Sequence, residues 1–157
     1  DKKTGLPNRE KLNIYIGEMA GKVLPEAFTC FTLNLDNLSE LTKRFGYIVG
    51  DGVLKDFAGL VQLMGDTEGM RGYNGVGRFV VFFEECSSKK AAAMIRILDN
   101  QVEEYNSLNP EYPIRYTAAW ATTEETDTYE IRELLRLSQK KWKQMEKEKK
   151  DKTEEET

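Results

Sequence analysis

Along this chain the apolar residues switch from helical spacing to alternation and back, and the order of those switches is what most constrains the fold. Asn8–Met19 carries Leu12, Tyr15, Ile16 and Met19 at helical spacing, with Pro7 near the first turn. Gly21 to Pro25 ends that segment. Ala27–Leu35 is rich in aromatic and β-branched residues and reads as a strand. Thr29, Phe31, Leu33 and Leu35 fall on one face of it, and Phe28, Cys30, Thr32 and Asn34 on the other. Asp36 or Asn37 can cap a short helix to about Phe45. Gly46 and Gly50 break the chain around Tyr47–Val49. Asp51 is then suited to cap a helix whose stripe is Leu54, Phe57, Val61 and Met64.

Gly65, Gly69, Gly72, Gly75 and Gly77 punctuate a turn-rich stretch that Phe79–Phe83 closes as a buried strand, so a hairpin is the natural reading. Ser87 or Ser88 caps a helix to about Tyr105, with Ala91, Met94, Ile95, Leu98 and Val102 inward. Pro110 and Pro113 mark a loop, Ile114–Thr122 reads as the last strand, and Thr128–Met145 as the last helix. Helix, strand, two helices, hairpin, helix, strand, helix is the order of an α+β sandwich, with helices packed on a mixed or antiparallel sheet. A doubly wound parallel sheet is disfavoured, because no GxGxxG follows the first strand.

Length and charge bound the function. The 157 residues suit one domain with one sizeable core. The net charge of −4 argues against a nucleic-acid partner. No apolar run approaches the roughly 18 residues that cross a bilayer, and the opening DKKTG is no secretory signal. Cys30 and Cys86 lie far apart in or beside apolar stretches and read as reduced residues of a cytosolic protein. There is no histidine, which removes the commonest general base and most transition-metal sites. Any chemistry must rest on carboxylates, lysines, hydroxyls or backbone groups.

Three segments, in order and at fitting spacing, carry a family resemblance. Asp1-Lys2-Lys3-Thr4-Gly5-Leu6-Pro7-Asn8-Arg9 resembles the D-x-L-T-G-L-P-N-R signature that opens GGDEF (diguanylate cyclase) domains. Asn34-Leu35-Asp36-Asn37-Leu38, running on to Phe45-Gly46-Tyr47-Ile48-Val49-Gly50-Asp51, is similar to that family's D-[IL]-D-x-F…F-G-H-x-x-G-D block. Gly75-Val76-Gly77-Arg78-Phe79 sits where the G-G-D-E-F turn belongs. The resemblance implies a ferredoxin-like fold related to the adenylate cyclase core, a central sheet with helices packed on it. It also implies two domains meeting head to head, each with one GTP, condensing the pair to cyclic-di-GMP. That reaction needs a divalent metal to neutralise charge at the α-phosphate and to lower the pKa of the attacking 3′-hydroxyl.

The departures from the family fall on the carboxylates. Asn34 stands at the first aspartate of the strand-end block, and Gly77 and Arg78 stand at the two acidic positions of the turn. Asp36 remains, at the position that is not the family's main metal ligand. The resemblance makes Asp51 the guanine-binding aspartate, but its asparagine partner is Thr42. Val76 replaces a glycine that lets backbone approach the nucleotide, and Met145 falls at the lysine position of the C-terminal helix. The R-x-x-D feedback motif is absent; Asp66-Thr67-Glu68-Gly69 occupies its place.

The vestigial nucleotide-binding set is therefore Asn34, Asp36, Thr42, Asp51 and Arg78, with no catalytic residue and no metal ligand. No cofactor is expected, and Mg²⁺ only if the vestigial site still works. Asp51 reads equally as a helix cap, Asp36 more as a cap than a ligand, Arg78 more as an exposed hairpin arginine than a phosphate group, and Trp120 as core. Residues 1–146 form the domain, and 147–157 a charged tail expected to fray. The leading functional reading is a non-catalytic regulatory or interaction domain of cyclic-di-GMP signalling. The alternatives are a GTP-binding sensor without turnover and, last, an active cyclase. Expected partners are other domains of a longer chain, with a sensor upstream and a phosphodiesterase downstream as the typical arrangement, then a homodimer, then weakly held GTP. The expected location is the cytoplasm, either free or as the cytoplasmic part of a membrane-bound protein.

Overall fold

A computed structural model describes residues 1–65 and 68–156. Four strands form the sheet: β1 (Thr29–Leu35), β2 (Gly69–Tyr73), β3 (Arg78–Phe83) and β4 (Tyr116–Thr122). Their order is β2–β3–β1–β4, and every neighbouring pair is antiparallel. The helices are α1 (Arg9–Met19), α2 (Leu38–Phe45), α3 (Tyr47–Gln62), α4 (Ser88–Leu108), α5 (Thr123–Thr126) and α6 (Ile131–Glu156). Each helical connection from one strand to the next in sequence skips a neighbour, so strands that run the same way never pair.

The alternation of β1 sorts its side chains as expected. Phe31, Leu33 and Leu35 join Phe79, Val81 and Phe83 of β3 under Leu54, Phe57 and Val61 of α3 and Ala91, Met94 and Leu98 of α4. Cys30, with Val80 and Phe82, faces Leu12 of α1 and Ile131 and Leu134 of α6 on the opposite side. Each fully buried Phe or Leu contributes on the order of 1.5–3 kcal/mol. Ser138 of α6 is fully buried and shares a hydrogen bond with Thr32 Oγ1 at 2.6 Å, which fixes α6 against β1. No described helix is long and apolar enough to cross a membrane.

Four local expectations are corrected. Part of the glycine-rich stretch is strand rather than turn: a Cβ on Gly72 would come within 2.9 Å of Leu12 Cδ1, so the glycine lets α1 lie directly on β2. Asp51 is not a cap, because α3 begins at Tyr47 and Gly46 takes the cap position. Nor does Asp36 cap α2; Asn37 holds that position without a side-chain capping bond. Its amide instead donates to Pro113 O at 2.7 Å and accepts from Arg115 N at 3.2 Å. Finally, the charged tail from 147 onward continues α6 as helix to Glu156. The segment has no proline or glycine, Lys150 pairs with Glu146 at 2.8 Å one turn away, and Lys149 is tied to β4. Asp66 and Thr67, where the feedback motif would begin, lie outside the described residues.

Candidate functional site

The candidate site is built where the end of β1 meets the turn between β2 and β3. Gly75, Val76 and Gly77 follow one another with φ of 83°, 52° and 79°. Val76 is 81% exposed at the tip, so its branched side chain does not fill the site. Gly77 lies under the turn: its N–H donates to Tyr73 Oη at 2.9 Å, and its carbonyl accepts from Leu35 N at 2.8 Å. The opening signature holds this turn in place. Pro7 O accepts from Tyr73 N at 2.9 Å, and the Arg9 guanidinium donates to Asn74 O at 2.6 Å and to Asn74 Oδ1 at 3.1 Å. Asp1 folds the segment before it by accepting from Lys3 N, Thr4 N and Thr4 Oγ1.

Strand register brings Asn34 and Arg78 opposite each other on β1 and β3. The alternation that turns Val80 and Phe82 toward α6 also turns Arg78 there, and its guanidinium sits 5.4 Å from the centre of the Trp142 ring. Asn34 Nδ2 donates to Asp36 Oδ1 at 2.8 Å. Thr117 Oγ1 of β4 donates to Asp36 Oδ2 at 2.6 Å and accepts from Lys149 Nζ at 2.8 Å. Lys149 also donates to Tyr116 O at 3.0 Å. Lys150 stands close by; its pKa is raised first by its hydrogen bond to Glu146, with Asp36 adding to the effect. These groups line a cleft of about 490 Å³. Both oxygens of Asp36 are engaged by neighbours, and two ammonium groups stand along the same cleft. Among the described residues, no group of three or more His, Cys, Asp or Glu is placed to hold a metal ion.

Asp51 and Thr42 form a second group at the α2–α3 junction. Thr42 Oγ1 donates to Leu38 O at 2.9 Å, and a Cβ on Gly50 would fall 2.3 Å from that hydroxyl. Thr42 is thus committed to packing α2 against α3. Asp51 pairs with Lys3 at 3.5 Å and keeps its side chain 42% exposed. Met145, at the lysine position, is 37% exposed, while Lys149 one turn further supplies the ammonium at the strand ends. Trp120 packs against the core beside Phe31, with Nε1 3.3 Å from Ser88 Oγ. The structure therefore brings together Asn34, Asp36, Gly77 and Arg78 and sets Thr42 and Asp51 apart. Sequence reasoning missed Thr117 and Lys149. Thr117 is one of several threonines in a strand, and Lys149 one of many lysines in a charged run. Only the helical continuation of α6, in which Lys149 falls one turn beyond Met145, offered a signal.

The antiparallel sheet, the glycine turn and the signature that braces it define a domain of the diguanylate cyclase class. The family model described as "Diguanylate cyclase, GGDEF domain" matches residues 1–152, and the chain belongs to this family. Among solved structures it is similar to the active GGEEF domain of a diguanylate cyclase from Vibrio cholerae. That match has 19% identity and a TM-score of 0.74, over 92% of this chain and 93% of that one. A diguanylate cyclase/phosphodiesterase from Caldicellulosiruptor saccharolyticus gives 19% identity and a TM-score of 0.69, over 92% and 86%. The S helix–GGDEF–EAL portion of Vibrio cholerae LapD, bound to c-di-GMP, gives 14% identity and a TM-score of 0.63, over 78% of this chain and 28% of that one. No curated protein matches the chain.

Proposed function

We propose that this GGDEF domain is non-catalytic and works as a regulatory or interaction module of cyclic-di-GMP signalling. The observation that carries the reading is the state of Asp36, the one aspartate left in the strand-end block. Its two oxygens accept hydrogen bonds from Asn34 and Thr117, and Lys149 holds Thr117 in turn. Mg²⁺ requires several hard oxygen ligands in near-octahedral geometry. Asn34 offers at most a neutral amide oxygen, Gly77 offers no side chain, and Arg78 brings a fixed positive charge. A unit positive charge about 4 Å from a guanidinium is repelled by roughly 4 kcal/mol at an effective dielectric near 20, and a divalent ion by about twice as much. The residues present do not fit the ion.

On this reading the domain acts through its surfaces. The partners are other domains of a longer chain, a sensor before it or a phosphodiesterase after it, or a second copy of itself. Incubation with GTP and Mg²⁺ or Mn²⁺, followed by chromatography of the nucleotides, is expected to yield no cyclic-di-GMP. Turnover that disappears in Asp36→Ala would overturn the proposal.

A second reading, a GTP sensor without turnover, is favoured by the exposed Asp51 carboxylate, which can accept from guanine donors at about 1.5–3 kcal/mol per charge-assisted bond. Calorimetry separates the two. The regulatory reading expects dissociation constants of about a millimolar or weaker, about −4 kcal/mol, unchanged by Mg²⁺. Micromolar binding lost in Asp51→Ala selects the sensor.

A further inference from the structure

Between the β2–β3 hairpin and α6 lies a small gap that shares no lining residue with the Asn34–Asp36 cleft. Its volume is about 130 Å³. Trp142 forms one wall and is only 5% exposed. Among the described residues, its Nε1 is the buried side-chain nitrogen or oxygen that has no hydrogen-bond partner. Buried donors are nearly always satisfied, so an orphan on a residue that walls a gap points to a place where an acceptor belongs. Phe79 and Val80 close its apolar side, and Arg78 and Lys143, both exposed, stand at its mouth with Asn74 and Gln139.

The charge of the lining says what kind of acceptor. Among the described residues, no aspartate or glutamate borders the gap. Neither Arg78 nor Lys143 forms an ion pair among the described residues. The Arg78 guanidinium carbon lies over the Trp142 ring, 5.4 Å from its centre, a cation–π contact that uses its charge and none of its N–H donors. Asn74 commits its Oδ1 to Arg9 and keeps its amide NH₂ as a further donor. A cluster of donors with two uncompensated cations suits an acceptor-only oxyanion better than water, which brings no charge. At about 130 Å³ the gap has room for a phosphate or carboxylate group.

We infer that the gap between the hairpin and α6 is a binding site for a small oxyanion, a phosphate or carboxylate group, held by Arg78, Lys143 and the indole N–H of Trp142. The inference stands apart from the question of cyclase activity. It gives Arg78 a ligand of its own on the α6 face of the sheet.

The chain has two tryptophans, so a ¹⁵N spectrum of the whole domain shows two indole signals, which Trp120→Phe assigns. The domain is titrated with inorganic phosphate, with acetate and with chloride at matched ionic strength. The expected result is a saturable shift of the Trp142 signal with phosphate or with acetate, no such shift with chloride, and an unmoved Trp120 signal. The phosphate and acetate arms decide between the two oxyanion sources. Arg78→Ala is expected to weaken the response at least tenfold, and Lys143→Ala to weaken it less; the remaining backbone signals verify that both variants are folded. No saturable shift with either oxyanion would overturn the inference and leave a gap that holds water alone. A shift that persists unchanged in folded Arg78→Ala would also overturn it, marking an adventitious ion only.

Discussion

Replacing Gly77 by alanine or aspartate tests whether the turn itself excludes the family's acidic residue. Gly77 has φ of +79°, where an L-residue costs about 1–2 kcal/mol. An added Cβ would also sit 3.1 Å from Leu35 O and 3.5 Å from Leu38 Cδ2. That contact is not easily relieved, because Leu35 N is hydrogen-bonded to Gly77 O at 2.8 Å and holds the two strands at this spacing. Strain and contact together give about 1–3 kcal/mol. For a domain of this size each kcal/mol lowers Tm by about 2–4 °C, so Gly77→Ala should melt about 2–12 °C below the parent. Gly77→Asp should fall in the same direction by somewhat less, because aspartate tolerates the left-handed region better. Thermal unfolding followed by circular dichroism reads the difference directly. Midpoints for both variants within about 1 °C of the parent would refute the geometric argument. Cyclic-di-GMP formation by Gly77→Asp alone would refute the wider claim, since Asn34, Arg78 and Lys149 remain in place.

Further outcomes follow from buried groups and from α6. Arg71, 4% exposed on β2, donates to Val61 O at 3.2 Å and Met64 O at 2.5 Å at the end of α3 and lies over the Phe83 ring. Arg71→Leu is expected to lower stability by about 2–4 kcal/mol in urea denaturation with little change in slope; an unshifted midpoint would contradict this role. Burial pushes the Cys30 thiol and the Tyr15 phenol each up to about 12. With folded values raised, the unfolded chain releases these protons first, so stability should hold below about pH 8.5 and decline from there toward pH 12. Urea midpoints that stay level from pH 8 to 11 would argue against it. Lys149→Ala should speed amide exchange across 147–154 while leaving β1 and β3 protected, and an unaltered exchange pattern would show that the lysine does not tether α6.

The sequence makes the core legible because burial imposes strict periods on it. Thr29, Phe31, Leu33 and Leu35 could be assigned to one face of β1 from alternation alone, and α4's inward residues from helical spacing. Elements set by single contacts were not legible. Gly69 and Gly72 look like turn residues, yet a side chain at either would strike Phe83 or Leu12, so they are strand positions chosen for close approach. Asp51 follows a glycine and looks like a cap, but α3 starts four residues earlier. The charged run after Glu146 has no apolar period to reveal that it is helix; local lysine–glutamate pairs and the bond from Lys149 to β4 decide that. At the site, the substitutions Asn34, Gly77 and Arg78 were visible as letters. Their consequence was not, because it depends on Thr117 and Lys149, which come from β4 and α6 and carry no motif.

These residues support one another, and on the proposed reading that bears on how cyclase activity could be built into the domain. Arg78 faces Asn34 across the β1–β3 pair, so a neutral amide there gives no carboxylate for the guanidinium to pair with, and it rests on Trp142 instead. Returning Asn34 to aspartate alone would set a carboxylate opposite Arg78, where it would be drawn into pairing with the guanidinium rather than left open to an ion, and would replace the amide donor to Asp36 with a like charge. Returning Arg78 to glutamate alone would remove the cation–π contact and leave the Lys149 and Lys150 ammonium groups beside the strand ends. Returning Gly77 strains the turn. Each single reversal therefore meets a group that compensates for, or is displaced by, the others, and coupled groups of this kind respond non-additively. On the proposed reading, no single substitution restores cyclase chemistry. Among the described residues the oxygens of Asp36 are bonded by Asn34 and Thr117, so freeing both requires a change at Thr117 as well as at Asn34, and acids at 77 and 78 come in addition, at the cost of the strain at Gly77.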